Sequence, residues 1–475
     1  MTAQEEVKKE GGTLAMQVRN IDTNLRYDPN ISYFADEDLN KFLLWCYNLG
    51  VSDINIETNQ PIIIDLGMKL RVTHELKEQE AANFANRVAQ RDIIGTILSG
   101  KDYDGSYTIK SNEPLADGNM SVRFRVNISG SVTDGGGKGV QITLRTLNET
   151  PPPIESFGLE KEILDNILPR QGAIWVTGAT GSGKTTLLAS IMRMILERED
   201  THKKIITYEA PAEFLYHKIK SKSSFISQME IGDSGSLKTF SAGIRNALRR
   251  APQIILLGEA RDKESIQGAV VAAQTGHLLF TTTHTNGFVE TIPRLLDSFS
   301  KEEQQQKCAD IISSTQMCIS QMLVPRKGGG RIALREFVVF NDKVKKELLK
   351  GGVSYISTNA RDVLRKYGRS YSLDAFDKYD QGLIEYNVLE MIIKDRGEMN
   401  MDRRYIENNE DEEGNKLSTL EQAILIQQQT ISQLQSMLLQ SMSESQNLLE
   451  YMRRKNNLEM FNVSDDIDSE IDPEL

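Results

Sequence analysis

The segment GATGSGKT contains the residue types that bind phosphate groups, at the spacing this binding requires. Gly178 to Thr185 match the pattern G-x-x-x-x-G-K-[ST] at every fixed position. An apolar run, AIWVT, precedes the segment and a helical pattern follows it, so backbone N–H groups and a helix N-terminus would point at the phosphates. Lys184 would add positive charge, and Thr185 would offer Mg²⁺ a hydroxyl ligand. The predicted phosphate-binding residues are Gly178, Ala179, Thr180, Gly181, Ser182, Gly183, Lys184, Thr185 and Thr186.

Carboxylates end two other apolar runs and could assist chemistry at these phosphates. In PQIILLGEARD, Gly258 takes the position where many phosphate-loop proteins carry an aspartate, and Glu259 follows it. Glu259 could polarise an attacking water, support Mg²⁺ through water, or do both. Glu209 ends the run KIITYE, and Glu213 lies four residues further on. Both could also be surface carboxylates at a strand end.

Histidine is rare in this chain, yet two of its five histidines lie in TGHLLFTTTHTNG. A metal site, a catalytic pair and simple packing are all compatible with His277 and His284 at this stage. The spacing H-x₆-H has no third ligand of a suitable type nearby, which disfavours the metal site.

The first 150 residues predict an α+β region that precedes the phosphate site. DEDLNKFLLWCYNLG reads as a helix that stops at Gly50, and SDINIETNQPIIIDLGMKLRVT as a hairpin. A helix is predicted around residues 78–98, followed by the strands SYTIK, SVRFRVNIS and GVQITLRTL. Pro151 to Pro153 cannot continue a strand ladder and predict an extended link.

Beyond the prolines, the apolar runs AIWVT, KIITYE, QIILLGE and HLLFTTT lack period-2 alternation. Such runs are typical of strands buried on both faces of a parallel sheet. Helical patterns separate them, which predicts a doubly wound α/β domain.

Acidity is concentrated in the C-terminal region. Residues 401–475 contain 16 acidic and 6 basic residues, whereas the other 400 residues contain 51 and 50. This near-neutral body predicts no direct nucleic-acid binding. An interrupted heptad pattern runs from Leu417, and the helix it predicts could dock on its own chain, self-associate or bind a partner helix.

Composition also excludes several classes. No apolar run approaches the ~18 residues of a membrane span, and the polar first residues lack the apolar region of a secretory signal. Three scattered cysteines exclude a disulfide framework or a zinc ribbon and fit a reducing cytoplasm.

Four motifs together carry a family resemblance. The phosphate loop, TYEAPAEF, GEARD and TGH…THT occur in the order found in PilT-like secretion ATPases, and the resemblance extends from about residue 52 to 340. TYEAPAEF, IRNALRRAP and ALREFVVF are similar to the DotB-like branch of type IVB (Dot/Icm) secretion and to its conjugative-plasmid relatives. The set of four is specific, whereas a single motif would not be.

The resemblance implies a PAS-like N-terminal domain, a RecA-like ATPase domain, a C-terminal helical extension, and ATP with Mg²⁺ at the phosphate loop. It implies that His284 senses the γ-phosphate and that His277 is the more structural member of a histidine pair beside the nucleotide. It also implies a homo-hexamer in which arginines of one subunit's small domain reach another subunit's ATP. Arg125 and Arg145 match those arginines, with Arg123 as a neighbouring candidate.

Three departures from the family pattern limit this interpretation. The acid box reads Glu209-Ala210-Pro211, where retraction motors usually carry aspartate before the proline. The C-terminal heptad segment has no counterpart in the family core. The tetracysteine zinc motif of pilus-extension ATPases is absent, which disfavours that branch.

The sequence therefore predicts a cytoplasmic, hexameric ATPase, recruited by inner-membrane components of a type IVB secretion or conjugation machine, that converts hydrolysis into domain motion. Glu259, Lys184, Glu209, His284, Arg125 and Arg145 are its predicted catalytic residues. A pilus retraction motor and a nucleotide-gated ring scaffold with little hydrolysis are the alternatives, and a DNA translocase is disfavoured by charge. The predicted regions are an arm (1–30), the α+β domain (31–150), a proline linker (151–157), the ATPase domain (158–345), a helical subdomain (346–400), a charged linker (401–416), an amphipathic helix (417–462) and an acidic tail (463–475).

Overall fold

Two β-sheets, one on each side of the Pro151–Pro153 segment, organise the computed structural model of the chain. The structure describes residues 25–27, 36–115, 120–147, 150–232 and 235–396. All of these belong to the first of two compact units, residues 1–396. The predictions for residues 401–475 lie outside the described residues.

The N-terminal lobe, residues 36–147, is a six-stranded antiparallel sheet in the order β3-β2-β1-β6-β5-β4, with three helices packed on one face. Its elements are α1 (Asp36–Asn48), β1 (Asp53–Glu57), β2 (Pro61–Asp65), β3 (Lys69–Glu75), α2 (Glu78–Ala89), α3 (Ile94–Leu98), β4 (Tyr103–Lys110), β5 (Ser121–Val132) and β6 (Lys138–Leu147).

Strand alternation divides the residues of β5 between the two faces of this sheet. Val122, Phe124 and Val126 are buried in the core beneath the helices. Arg123 and Arg125 lie between them in sequence and therefore point to the opposite face. The predicted strands of this region form, and this opposite face carries the arginines.

Two details of the N-terminal lobe differ from the sequence predictions. The helix expected over 78–98 is broken, because Gln90 adopts a left-handed conformation (φ 55°) whose N–H closes the last turn of α2. Of the arm expected over 1–30, the structure describes residues 25–27, where Tyr27 packs on the lobe against Phe42 and Trp45 and its N–H donates to the Val72 carbonyl.

The C-terminal lobe, residues 150–396, contains a seven-stranded sheet in the order β13-β12-β7-β11-β10-β8-β9. Its elements are α4 (Lys161–Asn166), β7 (Gly172–Thr177), α5 (Lys184–Glu197), β8 (Lys204–Glu209), β9 (Phe225–Glu230), α6 (Phe240–Leu248), β10 (Ile254–Leu257), α7 (Lys263–Gln274), β11 (Leu278–Thr283), α8 (Phe288–Leu296), α9 (Lys301–Ser314), β12 (Thr315–Pro325), β13 (Arg331–Val339), α10 (Asp342–Leu349), α11 (Ile356–Tyr367), α12 (Tyr371–Asp380) and α13 (Tyr386–Arg396).

The parallel sheet is confirmed, and it is larger than the four predicted strands. Strands β7, β8, β10 and β11 pair in parallel, and β9 and β12 extend this arrangement on either side. The outer strand β13 pairs with β12 in an antiparallel manner. Alternate residues of β7 enter the two apolar cores, Ala173 and Trp175 on one face and Ile174 and Val176 on the other. The mixed α/β fold class predicted from sequence is therefore correct.

The parallel strands bring four chain segments to one edge of this sheet. Their carboxyl ends lead into the phosphate loop after β7, the acid box after β8, Glu259 after β10 and His284 after β11. In open α/β sheets this edge is where ligands bind. No helix in the described part of the chain is both long enough and apolar enough to cross a membrane.

Candidate functional site

The phosphate loop lies between β7 and α5 and depends on its glycines. Gly178, Gly181 and Gly183 have positive φ values of 145°, 77° and 83°, a backbone conformation that residues other than glycine rarely adopt. Gly178 also has no space for a side chain, since an added Cβ would lie 2.2 Å from the Gln321 carbonyl oxygen. The Ser182 hydroxyl oxygen is buried and has no hydrogen-bond partner among the described residues. A buried unpaired donor within a ring of backbone N–H groups fits a phosphate ligand.

Lys184 is held within this loop. Its ammonium group donates to the carbonyls of Gly178 and Ala179, at 2.8 and 2.9 Å. Burial lowers the Lys184 pKa, and the charges of Glu259 and Glu213 oppose that shift. Lys184 is therefore close enough to both Glu259 and Glu213 to interact with them electrostatically.

The remaining predicted loop residues differ in accessibility. Ala179, Thr180 and Thr185 are exposed at the mouth of the site, whereas Thr186 is half-buried in the first turn of α5. The Thr186 carbonyl accepts a hydrogen bond from the Ser190 hydroxyl. The Thr185 hydroxyl is therefore accessible to a metal ion, as the motif predicts.

Glu259 and His284 form a pair at the ends of neighbouring strands. The Nε2 atom of His284 lies 3.7 Å from Oε1 of Glu259, and both side chains are partly exposed to solvent. The Thr282 hydroxyl donates to the Gly258 carbonyl at 2.6 Å, which ties the two strand ends together. An exposed carboxylate beside an imidazole can accept a proton from water and respond to a neighbouring phosphate charge.

His277 does not belong to this pair. It precedes β11, whereas His284 follows it, so the six-residue strand separates them by about 20 Å. The His277 ring nitrogen Nδ1 lies 3.1 Å from the Ala272 carbonyl at the end of α7. The implied histidine pair beside the nucleotide is therefore wrong for His277. Its structural role agrees with these contacts, and the separation excludes a metal ion shared by the two histidines.

Glu209 is the last residue of β8 and is almost fully buried. Burial raises the pKa of its carboxyl to about 7, although the nearby Thr207 hydroxyl and the Gln228 amide act in the opposite direction. The Gln228 amide donates to Glu209 at 2.9 Å. Glu209 can therefore exchange a proton near neutral pH, which suits a group that assists proton movement.

Glu213 lies at the centre of the site's charges, although the sequence did not place it among the catalytic residues. Burial raises its pKa, whereas Arg125, Arg145 and Lys184 lower it. The carboxylate thus lies within electrostatic range of both Lys184 in the phosphate loop and the arginines of the N-terminal lobe. Its position four residues after Glu209 in the TYEAPAEF box was the available signal.

Arg125 and Arg145 are cross-strand neighbours on β5 and β6. Arg125 lies 3.8 Å from Asp104, and Arg145 donates to Asp53 at 2.8 Å. The family resemblance implied that they reach another subunit's site. Within the single chain, both arginines lie close enough to Glu213 to lower its pKa, and their reach into another subunit's site stays a prediction.

Arg123 is buried and joins the two lobes. Its guanidinium donates to the Ala212 carbonyl, to Glu230 on β9, and to the Ser106 hydroxyl at 2.9 Å. These contacts occupy it within the lobe interface, whereas Arg125 remains partly exposed. Between Arg123 and Arg125, it is therefore Arg125 that is available to a ligand.

Comparison with known proteins shows which family the chain resembles. Residues 33–330 match the family described as type II/IV secretion system protein. The chain is 40% identical over 201 residues to the uncharacterized protein YggR of Escherichia coli, covering 42% of this chain and 60%, less than two thirds, of YggR. It is 34% identical over 350 residues to the type IV pilus retraction ATPase PilT of Pseudomonas aeruginosa, covering 73% of this chain and 94% of PilT. The crystal structure of the Legionella pneumophila ATPase DotB superposes with a TM-score of 0.70 at 39% identity, covering 78% of this chain and 99% of DotB.

Proposed function

The chain belongs to the type II/IV secretion system family of ATPases, and from that premise we propose that it is a hexameric motor of a type IVB secretion or conjugative transfer machine. The observation that carries the proposal is the meeting of the phosphate loop, Glu259 and the acid box at the carboxyl edge of the parallel sheet. There Lys184 interacts electrostatically with Glu259 and Glu213, and Glu213 interacts with Arg125 and Arg145. This is the set of charges that phosphoryl transfer requires.

Each residue has a role in hydrolysis under this proposal. Glu259 orients the attacking water and accepts its proton, and His284 responds to the γ-phosphate. Lys184 and the loop N–H groups bind the phosphates. The Thr185 hydroxyl, with Glu259 acting through water, would hold Mg²⁺, which supplies positive charge to the phosphate oxygens. Glu209 takes up or releases a proton beside them.

The output of the cycle is motion between the lobes rather than a chemical product. Arg125 and Arg145 neutralise charge on the transferring phosphoryl group when the N-terminal lobe closes over the loop. Phosphate release removes that attraction, and the lobes separate about the 151–157 linker. The ring acts at the cytoplasmic face of the inner membrane, where protein components of the machine recruit it.

A pilus retraction motor is the second candidate, because the similarity to PilT covers 94% of that protein. The 39% identity to DotB across nearly its whole length favours the secretion machine. Expression in a strain that lacks its own retraction ATPase separates the two. Restored twitching would favour retraction. If twitching is not restored but the chain restores transport in a strain that lacks its type IVB ATPase, secretion is favoured.

The first test is phosphate release by the purified chain and by Lys184→Ala, across a concentration series in which light scattering gives the mass. We expect release that needs Lys184, from particles with the mass of six chains. Rings that bind ATP through Lys184 but release no phosphate would instead indicate a nucleotide-gated scaffold. Active particles smaller than a hexamer would contradict the ring.

A further inference from the structure

Arg335 on β13 is the largest charged side chain of the described core, and it lies outside the catalytic residues discussed so far. Only 1% of its surface is exposed. A buried guanidinium is tolerated only when its donors are paired. Its Nε donates to Oε1 of Gln321 at 3.1 Å, its Nη2 donates to the Phe157 carbonyl at 3.0 Å, and its Nη1 lies 3.5 Å from Glu160.

This arginine determines how the Gln321 amide is oriented. A glutamine amide has an accepting oxygen and a donating nitrogen, and Arg335 can bond only the oxygen. The nitrogen is therefore directed the other way, where it donates to the Ser182 carbonyl in the phosphate loop at 2.7 Å. Gln321 is also 1% exposed, so no water competes for either contact.

The contact with Ser182 also sets the direction of a loop N–H. The Ser182 carbonyl and the Gly183 N–H belong to one planar trans peptide unit, in which the two groups point in opposite directions. By holding the carbonyl, Gln321 aims the Gly183 N–H away from itself. The fit is close, because a Cβ on Gly183 would lie 3.0 Å from the Gln321 amide nitrogen.

The other contacts of Arg335 lead away from the phosphates. Phe157 and Glu160 lie four and seven residues after Pro153, the last of the interlobe prolines. The Arg335 backbone N–H donates to Asp374 of α12 at 2.7 Å. Lys378 of the same helix pairs with Asp374 and lies 3.8 Å from Glu160. One buried cluster therefore joins the end of the linker, α12 and the floor of the phosphate loop.

We propose that Gln321 and Arg335 are positioning residues, which orient the Gly183 N–H for phosphate binding and transmit occupancy of the loop to the 157–160 segment and α12. The inference rests on the proposed function, since it assumes that the loop binds ATP. Coupling of this kind is reciprocal: a group that stabilises the binding geometry is itself stabilised by the ligand.

The test compares Gln321→Leu with the wild type for binding of ADP and of a non-hydrolysable ATP analogue, and for the kinetics of phosphate release. Leucine has a similar size but cannot hold the Ser182 carbonyl. We expect affinity to fall about tenfold, the loss of roughly one buried hydrogen bond. The KM for ATP should rise accordingly, while kcat changes less, because the N–H binds phosphate in both the ground and the transition state.

Arg369→Gln is the matched control. Arg369 belongs to the same charged cluster and pairs with Asp374 and Asp377. Its side chain has no described contact with Gln321, so we expect this variant to melt at a lower temperature while it binds nucleotide as the wild type does. Arg335→Lys keeps a charge beside Glu160 but loses the fixed fork. It provides a second variant if leucine at 321 prevents folding.

Amide hydrogen exchange supplies a readout that a purely structural role would not change. Nucleotide should slow exchange in residues 156–160 and in α12 of the wild type, and this slowing should be absent in Gln321→Leu. If nucleotide binding depends on Lys184 but the affinity of Gln321→Leu is within about twofold of the wild type, the inference fails while the proposed function stands. An equal loss of affinity in Arg369→Gln would do the same. If Lys184→Ala binds nucleotide as tightly as the wild type does, the proposed function fails instead.

Discussion

At the scale of single residues, three carboxylates share the site and differ in their surroundings. Glu259 is partly exposed beside His284. Glu213 is influenced by the charges of two arginines and a lysine, and Glu209 is buried at a strand end. A group that accepts a proton from water needs access to water, which Glu259 has. The charge of Glu213 can balance the arginines of the N-terminal lobe, and Glu209 can take up or release a proton near neutral pH.

We expect Glu259→Gln to bind ATP as the wild type does and to lose turnover by about a hundredfold or more, since glutamine keeps the shape but cannot accept a proton. Nucleotide titration and phosphate release measure the two effects separately. Glu264→Gln, on the exposed first turn of α7, is the control and should change neither. Unchanged phosphate release in Glu259→Gln would remove this residue from its assigned role.

The raised pKa of Glu209 predicts that stability depends on pH. The folded state retains its proton up to about pH 7, whereas the unfolded carboxyl releases it near its ordinary pKa of 4.5. Since the folded state binds more protons in this window, the Glu209 contribution is complete below the lower value and is lost as pH rises through the upper one. The loss is at most about 3 kcal/mol.

Thermal denaturation of the wild type and of Glu209→Gln, between about pH 4 and pH 8, tests this expectation. The neutral amide cannot titrate, so the variant should lose less stability than the wild type as pH rises. Some slope should remain in the variant, because burial also raises the pKa of Glu213. Parallel melting curves for the two proteins across the range would refute the assignment.

At the scale of elements, β13 supports two segments of the candidate site, the phosphate loop and the segment between His284 and α8, although it is the outermost strand of the sheet. Arg335 contacts the phosphate loop through Gln321. The next residue, Glu336, points to the other face of the strand. There it accepts a hydrogen bond from the Phe288 N–H, the first in α8, at 2.7 Å. That helix begins four residues after His284, so β13 also holds the segment that carries this histidine.

We expect Glu336→Gln to lower stability by about 1 kcal/mol, because a charged acceptor at a helix N-terminus is replaced by a neutral one. Turnover should fall several-fold as well, since the segment from His284 to Gly287 loses its anchor. Asn341→Ala is the matched control: it removes a similar cap from α10, where Asn341 accepts from Lys343 and Val344. Denaturation and phosphate release distinguish the two variants. Equal losses of turnover in both would show a general effect of stability.

At the scale of the whole molecule, the Arg123 contacts hold the lobes together on the side where the proposed motor must open. Arg123 is buried, Glu230 is about one third exposed, and Glu230 also accepts from the Ala212 N–H. Lys218 adds a weaker contact with Ser121 across the same interface. Lobe opening would therefore need to break the partly buried ion pair between Arg123 and Glu230, and the nucleotide cycle could shift that balance.

A double-mutant cycle with Arg123→Met and Glu230→Gln measures this contact in the free energy of unfolding. We expect a coupling energy of about 1 kcal/mol, because each single change removes one of the two opposite charges of a partly buried pair. The pair Arg198 and Asp200, exposed and distant from the interface, provides the control cycle and should give a smaller coupling. Additive effects at 123 and 230 would show that this ion pair does not join the lobes energetically.

Local pattern alone was sufficient for much of this protein. The phosphate loop, the parallel strands that carry it and the ends of β8, β10 and β11 follow from motif spacing and apolar runs, since both depend on neighbours in sequence. The order of the four motifs was enough to identify the family. The sequence also named Glu259, Lys184 and His284, because residues that follow parallel strands meet at one edge.

Only the tertiary structure decided which distant residues complete the site. Gln321 lies 139 residues from Ser182, and no local pattern connects them. His277 and His284 are close in sequence yet lie at opposite ends of one strand. The lobe packing brings Arg125 and Arg145 within electrostatic range of Glu213, while Arg123, two residues before Arg125, is buried between the lobes. Sequence determines which groups are available and how each strand alternates, but contacts between elements depend on how their faces pack, and that is a property of the folded chain.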